Sequence, residues 1–194
     1  MYIYMTSILW NINLENSIKK IYTKLPTEPM NVIEVGCFEG FGTLKLNKLL
    51  CKNNLSKITC VDPFDDVYVK GNTEFSDIDP IFVGQYDKFA NNTLPIKDNI
   101  IIKKGYSHHV LPNLPFKNYD FIYIDGDHSE DAVYNDGVNA LNLIKSGGII
   151  LFDDYYWTHK SQITKNGIEK FISEFTEKIT VLFRGPVQCA IMVK

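Results

Sequence analysis

The sequence predicts an α/β domain, a doubly wound and mostly parallel seven-stranded sheet with an antiparallel C-terminal strand, covered by helices on both faces. Three observations predict it. Short apolar runs alternate along the chain with segments of helical period. The first run passes directly into a glycine-rich turn. Glu34, Asp62, Asp125 and Asp153 each fall at the carboxyl end of an apolar run. Ligands of open parallel sheets bind outside the carboxyl ends of the strands, and folding alone gives no reason to place acids at four of them.

The elements follow in order. Residues 7–25 carry Ile8, Leu9, Ile12, Leu14, Ile18, Ile21, Tyr22 and Leu25 at helical spacing, with Pro26 as a stop, so residues 1–25 read as a leading amphipathic helix. Val32 to Val35 is a buried strand, residues 43–52 a helix, and Lys57 to Val61 a second strand. Residues 63–95, rich in Asp, Asn, Pro and Phe, read as a lid insertion, with Val83 to Asn92 its best helical stretch. Asn99 to Lys103 and Tyr119 to Ile124 are further strands. Residues 130–145 form a helix with Ala132, Val133, Val138, Leu141 and Ile144 inward; Gly147-Gly148 closes it before a strand from Ile149 to Phe152. A helix over 167–178 and an antiparallel pair, Thr180 to Arg184 and Gln188 to Val193, complete the domain.

A chain of 194 residues fits one domain spanning 1–194. A net charge of −3 and a single arginine, Arg184, argue against a nucleic-acid partner, which favours guanidinium forks. Cys37, Cys51, Cys60 and Cys189 form no CxxC pair and no zinc spacing, which points to free thiols in a reducing compartment. No apolar run reaches the length of a membrane span. The expectation is a cytoplasmic protein, in the host cytoplasm if viral, since the wealth of Asn, Ile and Lys matches an AT-rich genome. A homodimer through the apolar leading helix is expected.

The first strand runs into Glu34-Val35-Gly36-Cys37-Phe38-Glu39-Gly40-Phe41-Gly42-Thr43. Its glycines permit a tight turn and close approach of backbone to a ligand. A dinucleotide site would place amides against a pyrophosphate; here carboxylates before and within the turn would repel one and tolerate a cationic ligand. Asp62 either accepts hydrogen bonds from ribose hydroxyls or caps the turn before Pro63.

Two further stretches carry a resemblance: Tyr119 to Ser129, containing Asp125-Gly126-Asp127-His128, and Gly147-Gly148 to Tyr155, ending in Asp153-Asp154-Tyr155. With the Glu34 loop, Cys60-Val61-Asp62-Pro63 and Lys104-Gly105-Tyr106-Ser107, the chain from Val32 to Tyr155 resembles Rossmann-like class I S-adenosylmethionine-dependent methyltransferases. Within them it is most similar to the metal-dependent sugar O-methyltransferases of the macrocin, mycinamicin and novobiocin type. The resemblance implies that Glu34, Gly36 and Gly40 hold the methionine part of S-adenosylmethionine, with Thr43 near its carboxylate. It implies Asp62 at the ribose, Ser107 near adenine, and Asp125 at the cofactor as well as at the metal. Asp125, Asp153 and Asp154 would hold Mg²⁺ or Mn²⁺, for which hard oxygen donors suit.

The implied reaction is methylation of a hydroxyl on a sugar or glycosylated small molecule. Its base is Asp127 or His128; the former also suits a turn, and the latter titrates near neutrality. Tyr155, Tyr156, Trp157 and His159 offer aromatic faces for a sugar ring or for the core. No family role attaches to the pair His108-His109. Two alternatives stand beside this reading: a catechol-type phenol O-methyltransferase using the same metal logic, and a catalytically silent methyltransferase-fold subunit. An NAD-dependent enzyme is disfavoured by the acidic first loop.

Overall fold

The computed structural model describes residues 2–64, 84–159 and 162–194, with the side chains of residues 2–11, 159 and 162 outside that description. Most of the expected lid, residues 65–83, therefore lies outside the described residues.

Seven strands form one sheet: β1 (Asn31–Val35), β2 (Lys57–Asp62), β3 (Ile100–Lys104), β4 (Tyr119–Ile124), β5 (Ile144–Phe152), and the later pair Ile179–Arg184 and Cys189–Val193. A two-residue ribbon, β6 (Thr158–His159) with β7 (Gln162–Ile163), precedes that pair, which becomes β8 and β9. The spatial order is β3-β2-β1-β4-β5-β9-β8, with parallel pairing from β3 to β5 and β9 antiparallel to both its neighbours. This is the predicted doubly wound sheet. The order reverses between β1 and β4, which puts a crevice at their carboxyl ends.

Side-chain alternation divides the core. Val32, Ile58, Phe121, Ile149 and Leu151 pack on one face beneath α1 (Tyr2–Ile21), α2 (Phe41–Leu50) and α3 (Gln85–Thr93), through Leu14, Ile18, Leu46, Leu50 and Phe89. Their neighbours Ile33, Ile122, Ile150 and Ile191 pack on the other face beneath α5 (Glu130–Leu143) and α6 (Thr164–Glu174), through Val133, Leu141, Ile168 and Phe171. A strand buried on both sides is apolar at nearly every position, which is why Val32-Ile33, Phe121 to Ile124 and Ile149 to Phe152 read as continuous runs. Each such side chain contributes about 1.5–3 kcal/mol on burial.

Several boundaries differ from the sequence reading. The leading helix spans Tyr2–Ile21, with a 3₁₀ turn at Tyr22–Lys24. The helix expected at 167–178 lies at Thr164–Glu174. The larger correction concerns Gly147-Gly148. These glycines do not close a helix: α5 ends at Leu143, and both lie within β5. There the register of β4 against β5 shifts, from Tyr119 opposite Ile144 to Phe121 opposite Ile149. Gly147 adopts φ +79°, and a Cβ on Gly148 would stand 2.5 Å from Ile144 Cγ1, so the bulge needs glycine where a helix cap was inferred.

Behind the sheet, Arg184 Nε and Nη2 clasp Glu169 at 2.7 and 3.0 Å, and the Tyr155 hydroxyl donates to Glu169 Oε1 at 2.5 Å. This joins β8, α6 and the segment after β5 in one polar cluster.

Candidate active site

Backbone hydrogen bonds stitch the carboxyl edge of the sheet together. Gly36 N–H bonds Val61 O at 2.9 Å, Asp125 N–H bonds Val35 O at 2.8 Å, Asp153 N–H bonds Ile124 O at 2.9 Å, and Gly105 N–H bonds Asp62 O at 2.9 Å. The four strand-end acids are thereby set side by side.

The turn after β1 is built for close approach. Gly36 has φ +83°, and a Cβ there would stand 1.9 Å from the Asp125 carbonyl oxygen. Gly40, at φ +85°, begins α2 where a Cβ would meet Thr93 at 2.7 Å. Asp62 organises the same turn: Oδ2 accepts from Cys37 N at 2.8 Å and Phe38 N at 3.0 Å, while Oδ1 accepts from Phe64 N at 2.7 Å.

Glu34 is fully buried at the start of this turn. Its Oε2 accepts the Thr43 hydroxyl at 2.5 Å, whereas Oε1 has no hydrogen-bond partner among the described residues. Burial pushes its carboxyl up to about 8, against the pull of the Thr43 hydrogen bond. Thr43 is itself fully buried and spends its hydroxyl on Glu34.

At the ends of β4 and β5 a second acidic group forms. His128 Nε2 lies 2.9 Å from Asp154 Oδ2 and 3.7 Å from Asp125 Oδ1, charge contacts without an aligned hydrogen bond. Ligand atoms of Asp125, His128 and Asp154 all fall within 4.8 Å of one another, a spacing that fits a metal ion. Burial, followed by the neighbouring Asp153 charge, holds the Asp125 carboxyl well above the usual carboxylate range. For His128 burial works against the charge, but contacts to Asp125 and Asp154 outweigh it and lift the imidazole to about 10. Asp154 sits at φ +49°, a backbone conformation aspartate tolerates better than most residues.

Asp153, by contrast, turns into the core. It is 2% exposed, accepts the Tyr123 hydroxyl through Oδ2, and takes the Asp154 amide on Oδ1 at 2.8 Å. The same Tyr123 hydroxyl reaches Asp125 Oδ2 at 3.3 Å. Of the three carboxylates expected at a metal, the structure groups Asp125 with Asp154 and adds His128, while Asp153 stands behind them through Tyr123. Asp127 is exposed, and its Oδ1 accepts Ser129 N–H at 2.8 Å in the turn that starts α5. Ser107 opens the one-turn helix α4 (Ser107–Val110) after β3. Trp157 packs on His128 with ring centres 4.8 Å apart, and the exposed Tyr156 lies under Lys165 Nζ at 4.9 Å.

Sequence reasoning missed two polar residues here. Tyr123 stands two positions before Asp125, so strand alternation puts both on one face; its polar tip was hidden in an apolar run. Asp136 is 1% exposed in the middle of α5, with burial raising its carboxyl to about 7. It falls on the buried stripe of Val133, Gly137 and Ala140 and was visible from helical period alone.

Comparison with known proteins agrees with this arrangement. The family model described as "Methyltransferase domain" matches residues 33–155, from the first strand through the acidic pair. The chain belongs to the methyltransferase domain family. The expectation of a methyltransferase is thereby met at the level of the family. An uncharacterized protein of Acanthamoeba polyphaga mimivirus is 25% identical over 170 residues, 84% of this chain and 65% of that relative, so the chain spans just under two thirds of it. Among solved structures, an O-methyltransferase from Bacillus cereus in complex with S-adenosylhomocysteine superposes with a TM-score of 0.61 at 15% identity, covering 97% of this chain and 91% of that one. TomG from Streptomyces achromogenes, an O-methyltransferase of tomaymycin synthesis in complex with S-adenosylmethionine, gives 0.61 at 13% identity, covering 85% and 73%. At such identities the likeness is one of fold. No helix among the described residues is long and apolar enough to cross a membrane.

Proposed function

We propose that this methyltransferase-family chain transfers the methyl group of S-adenosylmethionine to a hydroxyl of a sugar or glycosylated small molecule, assisted by a divalent cation. The observation that carries the reading is the unpartnered Oε1 of Glu34, buried at the mouth of a glycine turn. A buried carboxylate oxygen without a donor is costly, and the ammonium group of the cofactor's methionine part supplies one. Gly36 and Gly40 let the turn pack directly against the Asp125 carbonyl and against Thr93 and Phe89, which holds its backbone at the sheet edge. Asp62 lies at the neighbouring strand end for the ribose hydroxyls, and Ser107 and Asp125 flank the base and sugar.

The cation would be held by Asp125 and Asp154, with Asp153 or His128 completing the set. Oxygen donors dominate that group, which suits Mg²⁺ or Mn²⁺. When bound, such an ion lowers the pKa of a coordinated acceptor hydroxyl and orients neighbouring oxygens. The chain's own residues do the rest. Asp127 and His128 are the two candidates for the proton acceptor: Asp127 is engaged in its turn and faces solvent, and His128, held as a cation against Asp125 and Asp154, would be free to accept a proton only where a bound cation takes over those carboxylates. Trp157 packs on His128 and offers an aromatic face on which a sugar ring can stack.

Calorimetric titration with S-adenosylhomocysteine, with and without Mg²⁺, tests the cofactor assignment, followed by methylation assays on glycosides and catechols. Binding with turnover of glycosides supports the reading. Turnover confined to catechols transfers it to phenol methylation, and absence of binding leaves a silent subunit.

A further inference from the structure

Cys37 and Cys60 stand apart in sequence, and the pairing of β1 with β2 brings them to one spot. Cys60 faces Glu34 in the register of the two strands, and Cys37 returns to them from the glycine turn, where Asp62 Oδ2 holds its amide at 2.8 Å. One ligand atom from each of Glu34, Cys37 and Cys60 lies within 4.8 Å of the other two. All three residues are buried, Glu34 and Cys60 completely and Cys37 to 3% exposure. Both thiols are free, and their contacts to backbone carbonyls are long: Cys37 Sγ stands 3.6 Å from Glu34 O and 3.8 Å from Val61 O, and Cys60 Sγ stands 3.9 Å from Ile58 O.

One buried cysteine is ordinary packing. Two thiols beside a carboxylate are not, because Glu34 Oε1 has no hydrogen-bond partner among the described residues, and a buried oxygen left so is costly. Thr43 holds the other oxygen, Oε2, which fixes the carboxylate and leaves Oε1 to a ligand. Sulfur donors select soft or borderline cations over Mg²⁺. Thiolate and carboxylate bind zinc tetrahedrally, and three protein ligands leave the fourth position to water. We propose that Cys37, Cys60 and Glu34 form a second cation site, for a thiophilic divalent ion such as Zn²⁺, and that its occupation shuts the cofactor out. The two thiols give up their protons to solvent as their sulfurs take the ion. The ion occupies the Glu34 oxygen that the cofactor's ammonium group would take, so only one of them binds at a time. The exclusion rests on the proposed function; the cation site does not.

The experiment is titration of the reduced, metal-free full chain with Cd²⁺, followed by thiolate-to-cadmium charge-transfer absorption in the ultraviolet. The wild type is expected to develop the band to saturation at one ion per chain and to release at least two protons, while Mg²⁺ produces no band and Zn²⁺ displaces the Cd²⁺. Cys37→Ala and Cys60→Ala each lose the band, Glu34→Gln raises the half-saturating Cd²⁺ concentration, and Cys51→Ala and Cys189→Ala titrate as the wild type does. Saturating S-adenosylhomocysteine suppresses the band. No band in the wild type, or one that survives in both Cys37→Ala and Cys60→Ala, overturns the site and leaves the cofactor assignment standing. S-adenosylhomocysteine that binds without suppressing the band overturns the exclusion. A chain that gives the band and binds no S-adenosylhomocysteine overturns the cofactor assignment and with it the exclusion, while the cation site stands. If Cys60→Ala does not fold, Cys37→Ala and the closely isosteric Cys60→Ser carry the same decision.

Discussion

His128 Nε2 stands 2.9 Å from Asp154 Oδ2, and the same imidazole packs on Trp157 with ring centres 4.8 Å apart. The acid and the indole together fix where the ring can be. Asp154 is therefore both a ligand candidate and the residue that holds the His128 ring. Asp154→Asn is expected to abolish metal-stimulated turnover while leaving affinity for S-adenosylhomocysteine nearly intact, as read by initial rates across a Mg²⁺ series and by calorimetry. Equal loss of both would move Asp154 out of the metal site.

Glu34 gives a pH dependence with a definite sign. Its folded value of about 8 lies above the ordinary 4.5, so the folded chain retains a proton that the unfolded chain releases. Stability of the ligand-free protein is full below the unfolded value and falls as pH rises from there towards 8. Glu34→Gln should flatten melting temperature across that window, with a gain on the order of a few kcal/mol at its upper end, and should weaken S-adenosylhomocysteine binding. A steeper pH dependence in the variant would refute the assignment of this carboxyl.

Asp62 accepts two backbone N–H groups, of Cys37 and Phe38, from the turn that would cradle the cofactor, and a third, of Phe64, just after its own strand. Asp62→Ala should therefore cost stability as well as affinity, about 1–3 kcal/mol in cofactor binding. Chemical denaturation and calorimetry on the same preparation separate the two effects. Unchanged affinity would exclude Asp62 from the ribose site.

Tyr123→Phe removes the hydroxyl that Asp153 accepts and leaves that buried carboxylate short of a donor. A loss of about 1–3 kcal/mol in unfolding free energy is expected. Metal affinity, measured by Mn²⁺ titration, should change as well if Asp153 supports the site. A variant as stable as the wild type would mean that Asp153 finds another partner.

Gly36→Ala places a methyl group 1.9 Å from the Asp125 carbonyl, at a backbone angle alanine avoids. A destabilisation of about 2–4 kcal/mol follows if the strands must part, seen as a lowered melting temperature together with lost cofactor binding.

The sheet was legible because strands buried on both faces leave no choice of residue: Val32-Ile33 and Phe121-Ile122 split between the two cores, and the sequence shows the run. The acids were legible for the opposite reason, since an apolar run that ends in a carboxylate is anomalous. What the sequence hid is pairing. Nothing in Gly147-Gly148 distinguishes a helix stop from a bulge until β4 is laid beside β5. Nothing in Asp153-Asp154 says which carboxylate turns inward; the Tyr123 hydroxyl, from a strand 30 residues earlier, decides it. Asp127 read as a base or as a turn residue, and its Oδ1 takes the Ser129 amide in the turn before α5.

The stitched carboxyl edge also sets when the crevice can come into being. β1 and β4 are neighbours in the sheet, yet Asn31 N–H reaches Asp120 Oδ2 across 89 positions of sequence. A chain leaving the ribosome carries its glycine turn long before it carries the strand on which that turn rests. Closing so distant a contact is slow compared with forming helices. The small molecule cannot guide the first half of folding; it meets a finished pocket only after Phe152 and the residues beyond it have been made.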